Sequence, residues 1–263
     1  MYTVNINDFE PVLFTESEIK NAPLVGLIDE TITANYDELV KIASVIQIQV
    51  HKHLKPYWNV TAVVKAYRSS NEAPAGTWLV KIRDSVKGDG LNEPKLLGVH
   101  QIDAKGVPFA IVKKWDNYTI TLSHEIMEML VNPKLNYFIK STYNGKVVYY
   151  LNEVAGATQS NDFAYVINGI RVSDFYTKNY YDLVWLPNTK YSFTGAILRP
   201  KDILSGGYSS FLDDLGNWFQ VFGLNGRERL VKLGETVGEN PLIYLSLMLL
   251  LIIIIYLYSN RNE

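Results

Sequence analysis

Hydrophobic positions along residues 119–133 fall on a single stripe. Leu122, Ile126, Met129 and Leu130 recur at helical spacing, and Pro133 ends the run. Thr121 is the expected N-cap, because its hydroxyl can accept a bond from an early helix amide. A second helical pattern, Leu39, Ile42, Ala43 and Ile46, covers residues 35–54 and stops before Pro56. His51 and His53 close that helix. Lying two residues apart, they face differently and read as surface residues at its C-terminal end rather than as a metal pair.

Between the two helices the pattern changes to strands. Residues 58–67 and 77–83 are rich in Val, Trp and Ile, and 96–102 and 107–113 follow, separated by stretches of turn-forming residues. Downstream come a strand at 146–154 and a hairpin at 163–172, the latter turning on Asn168-Gly169. Short elements at 191–195 and 205–211 precede a last strand at 217–222. Residues 1–30 suggest only an edge strand and a turn. The order of helix, strands, helix and further strands predicts an α+β body over residues 1–222.

Beyond that body, residues 223–240 are polar and glycine-containing, the expected tether, and 259–263 form a short polar tail. Residues 241–258 begin at Pro241 and continue without a charge. Their length is at the lower limit for spanning a bilayer, and Tyr244, Tyr256 and Tyr258 suit its interfaces. The expectation is a single C-terminal transmembrane helix with the lipid bilayer as partner. Arg261 and Glu263 set no orientation. The acidic N-terminus lacks the basic and apolar regions of a secretory signal, so the chain reads as not secreted.

Composition narrows the chemistry. The 263 residues are 48% hydrophobic and 13% aromatic, with 18 Tyr and no Cys, so disulfides and thiolate chemistry are excluded. A formal charge of −2 offers no nucleic-acid footprint. Of only four His, one lies on the 119–133 helix in the string His124-Glu125-Ile126-Met127-Glu128. His124 and Glu128 are four residues apart and can converge on one ion, while Glu125 points to another part of the same site. Local chemistry leaves two readings open, an ordinary helix with an acidic face and a metal site. The apolar stripe favours burial, and buried carboxylates beside a His need protons, hydrogen bonds or a metal.

The run from Ser123 through Pro133 resembles the signature of a largely uncharacterised, mostly bacterial family of zincin-like, metallopeptidase-like proteins, commonly Ser-His-Glu-(Val/Leu)-Leu-Glu-x-(Leu/Val)-x-Asp-Pro. Further matches at Pro56-Tyr57-Trp58, Leu97 to His100, Gly106 to Pro108, Glu153-Val154, Val172 to Phe175 and Tyr191 to Phe193 extend the resemblance over roughly residues 35–222. It implies a zincin-like body with a twisted mixed sheet and an active-site helix. It also implies a zinc ion (Zn2+) held by His124, Glu128 and Glu153, with Glu125 as the carboxylate that activates water. Two departures stand out: Asn132 replaces the usual Asp, and Glu153-Val-Ala-Gly-Ala157 replaces Glu-Val-Cys-Asp-Pro.

The expected function is a membrane-anchored structural or interaction protein with a zincin-like domain, at an internal or virion membrane, engaging a protein or peptide partner. The alternative is a zinc-dependent peptidase in which Glu125 activates the water.

Overall fold

The near-continuous apolar run Leu24–Asp29 is the pattern of a strand covered on both faces. The computed structural model, which describes residues 4–233, places that strand (β2) inside a sheet, with a neighbour on each side. Before it come β1 (Asn5–Ile6) and α1 (Glu16–Asn21), the latter closed by a capping box in which Thr15 and Glu18 satisfy each other's amides. An interior strand in this region departs from the edge strand and turn expected there.

After β2 runs α2 (Tyr36–Ile48), N-capped by Asn35, whose side chain accepts from the Glu38 amide at 3.2 Å. It continues through a π-helical stretch, Gln49–Leu54, into α3 (Lys55–Trp58). The π stretch turns His53 inward. Far from being a surface residue, His53 is buried, with Nδ1 2.9 Å from the Tyr165 hydroxyl and its ring stacked on Phe193. Then come β3 (Val63–Tyr67), β4 (Trp78–Arg83), the small hairpin β5 (Lys87–Gly88) and β6 (Leu91–Asn92), β7 (Gly98–Ile102) and β8 (Pro108–Lys113). The first large sheet is mixed, in the order β3-β2-β4-β8-β7. Its first four strands are parallel, and β7 lies antiparallel at the edge.

Helix α4 (Tyr118–Val131) packs on β7 and β8. Asn117 occupies its N-cap position, so Thr121 is not the cap; it sits one turn inside the helix, facing the cavity described below. The helix leads into a second, antiparallel sheet in the order β15-β14-β13-β10-β9. Its strands are β9 (Phe138–Tyr143), β10 (Lys146–Leu151), β13 (Tyr208–Asp213), β14 (Trp218–Leu224) and β15 (Arg227–Leu233), the last occupying residues expected as tether. Between β10 and β13, β11 (Tyr165–Ile167) and β12 (Ile170–Val172) form a hairpin that pairs with β1. Three hairpins turn on Asn-Gly pairs with positive φ at both residues, Asn144-Gly145, Asn168-Gly169 and Asn225-Gly226. Residues 191–195 contribute only an isolated bridge, Tyr176 to Ser192.

The α+β class with mixed sheet and short helices therefore stands, but the C-terminal transmembrane helix does not. Among the described residues no helix is long and apolar enough to cross a membrane, and residues 241–258 lie outside them. The membrane anchor, the bilayer as partner and the single-pass localisation are withdrawn with it.

Candidate metal centre

Helix α4 is buried almost all round. Of its residues only Thr119 and Thr121 escape full burial, so its polar side chains must find partners inside the protein. Ser123 does so locally: its hydroxyl donates to the Ile120 carbonyl at 2.9 Å and accepts from the Ser173 amide at 2.7 Å. His124, Glu125 and Glu128 instead meet side chains from two other segments. Strand β7 contributes His100, and the turn after β10 contributes Glu153.

The centre is built around His100. Its Nδ1 lies 3.2 Å from Glu125 Oε2 and 3.8 Å from Glu128 Oε2, and its Nε2 lies 3.8 Å from Glu153 Oε1. His100, Glu128 and Glu153 each offer one donor atom within 4.8 Å of the other two. His124 joins from the side, with Nε2 3.1 Å from Glu128 Oε2. The other Glu128 oxygen, Oε1, accepts from the Ala155 amide at 3.1 Å, which fixes the carboxylate plane. Gly98 allows the close approach: a Cβ there would come within 2.6 Å of Glu125 Oε1 and 2.5 Å of Thr121 Cγ2.

Electrostatics follow from this burial. Loss of solvent raises the Glu125 carboxyl above its ordinary value, opposed by His124 and His100. It raises Glu128 likewise, opposed by His100 and reinforced by Glu125. Glu153 is pushed well above the usual carboxylate range, first by burial and then by Glu128 beside it. Burial holds His124 below its ordinary value, so its ring is neutral at pH 7.

Two atoms indicate what the cluster accommodates. His100 Nε2 and Glu153 Oε1 are buried and have no hydrogen-bond partner among the described residues, although they face each other across the centre. Unpartnered buried polar atoms are costly, by about 1–3 kcal/mol each, and a cation between them would satisfy both. The donors are carboxylate oxygen and imidazole nitrogen, the set that divalent metals such as zinc accept. A buried His–Glu–Glu cluster able to coordinate a metal ion is thus present. It opens into a cavity of about 690 Å³ whose lining includes β7, α4 and the second sheet.

The fold brings the sequence candidates Glu125, Glu128 and Glu153 to this centre, with His124 at its margin. The sequence places His100 in a strand and in the Leu97–His100 match, but gives it no ligand role. The signal that could have found it is Gly98 two residues earlier on the same strand face, a gap through which β7 approaches a helix. Asn132 lies outside the cluster: its Oδ1 accepts from the amides of Asn136 and Tyr137 at 3.0 and 2.9 Å and shapes the chain leaving α4. Gly156 packs beneath Tyr208, where a Cβ would stand 3.0 Å from the Tyr208 carbonyl oxygen.

Comparison with protein-family models, characterised proteins and solved structures finds no match to this chain. The zincin-like family read from residues 123–133 is therefore not upheld, and what remains of that reading is the buried His–Glu–Glu cluster itself.

Proposed function

We propose that the chain is a zinc-dependent hydrolase acting on peptides, with Glu125 as the general base. The observation that carries this reading is the pair of unpartnered buried atoms, His100 Nε2 and Glu153 Oε1, within a cluster that also holds Glu128. Glu128 and Glu153 would hold the ion together with one imidazole. His100 is favoured for that place, because its Nδ1–H can donate a hydrogen bond to Glu125 Oε2 at 3.2 Å and leave Nε2 free to bind. His124 as the imidazole ligand is the second reading, supported by its 3.1 Å approach to Glu128 Oε2. A bound zinc ion supplies Lewis-acid polarisation of a carbonyl and acidifies water.

Glu125 is suited to accept the water proton, since burial raises its proton affinity towards the neutral range where a general base works best. The peptide substrate is supported by β7, which pairs only with β8 among the described residues. Its other edge is open along the cavity, where an extended chain can add as a further strand. The test is peptide hydrolysis by zinc-loaded wild type and Glu125→Gln. The variant is expected to keep its fold and its ion and to lose about 10²- to 10⁴-fold in rate. Hydrolysis at the wild-type rate by pure Glu125→Gln protein would remove Glu125 from this role.

A further inference from the structure

The second sheet contributes to the lining of the cavity, and one polar cross-strand pair on it lies there. Ser210 on β13 and Gln220 on β14 stand directly opposite each other, so their side chains share a face. Gln220 Nε2 donates to Ser210 Oγ at 3.0 Å. Gln220 is fully buried, yet its Oε1 has no partner among the described residues. Both residues line the cavity, as do Leu135 and Leu151. Because the Ser hydroxyl can donate or accept, either end of the Gln220 amide can hold it, and the other end is left to pair with a group in the cavity.

Tyr208 lies two residues before Ser210 on the same strand and hence on the same face. It lines the same cavity as Glu125, Glu128 and Glu153. Two strand residues span roughly 7 Å, and therefore about two residues' step along an extended peptide whose scissile bond lies at the cluster.

We infer that Ser210 and Gln220 form a side-chain subsite that selects peptides carrying an uncharged, hydrogen-bonding side chain, an amide above all, about two residues from the bond presented to the centre. This deepens the hydrolase reading and rests on it. An apolar side chain of the same length would leave the Gln220 amide unsatisfied, and an ionised one would be buried without a counter-charge from this pair.

The test uses the full-length Glu125→Gln protein loaded with zinc and labelled peptides Ala-Ala-Ala-Xaa-Ala-Ala-Ala, with Xaa Gln, Met or Glu, read by fluorescence anisotropy. The Gln peptide is expected to bind roughly tenfold more tightly than the near-isosteric Met peptide, the size of one buried neutral hydrogen bond, and more tightly than the Glu peptide. Adding Gln220→Leu should abolish or invert the Gln-over-Met preference, and Ser210→Ala should weaken it if the Leu variant fails to fold. Equal affinities within twofold, or no binding of any of the three, would overturn the subsite. Cleavage by wild type is measured in parallel. Selective binding without cleavage would retain the subsite and reject the hydrolase, whereas cleavage without preference would do the reverse.

Discussion

Two buried histidines show how the same residue serves different ends. At the centre, His100 meets three carboxylates and keeps Nε2 unpartnered. His53, in the π-helical stretch, is packed against Tyr165 and Phe193. Burial pushes His53 down to about 4, with Asp8 opposing and Lys52 assisting. A depressed folded-state value means stability that is present above the unfolded value of about 6.5 and lost as pH falls towards 4. Denaturant unfolding of wild type and His53→Gln between pH 7.5 and 4 should show it. The wild-type advantage is expected to shrink by roughly 1–3 kcal/mol over that window, and a difference that does not change with pH would mean that the ring is not held neutral. Neither this role nor that of His100 was legible in the sequence. Helical spacing relates residues three or four apart, whereas His100 and Glu125 are 25 apart and His53 and Tyr165 are 112 apart.

At the scale of elements, α4 was the legible part. Its apolar stripe is in the sequence, and so is the polar string His124 to Glu128 that burial makes consequential. Less legible was the start of the chain: β2 lies inside the mixed sheet, between β3 and β4, but a short apolar run gives no period by which to tell an interior strand from an edge. Leu27, wholly buried in that strand, should lose about 2–5 kcal/mol of stability as Leu27→Ala, and a change under 1 kcal/mol in denaturant unfolding would contradict the interior placement. The contact of β7 with α4 makes a sharper prediction. Gly98→Ala puts a methyl against Glu125 and Thr121, so it should cost about 1–3 kcal/mol and weaken zinc binding as Glu125 moves from His100. Unchanged unfolding and unchanged zinc affinity would show that the strand yields freely.

For the molecule as a whole, the centre joins the mixed-sheet half, through β7 and α4, to the segment that leaves β10 of the antiparallel half. The sequence carried the α+β class and the run of residues that supplies most of the acidic groups, but not the layout of the second sheet, whose pairings join segments with no local signal of their partners. The uncharged run at 241–258 drew the functional expectation towards a membrane, whereas the described fold points to the buried cluster. An ion holding both halves stabilises the folded state by mass action, by about 2.7 kcal/mol at a hundredfold excess over its dissociation constant. The most direct measurement is the metal content of the full-length protein after dialysis against trace zinc, for wild type and His100→Ala side by side. One ion per chain in wild type and none in the variant is the expected result; a wild type without bound ion, or a variant that retains the full complement, would contradict the centre as assigned.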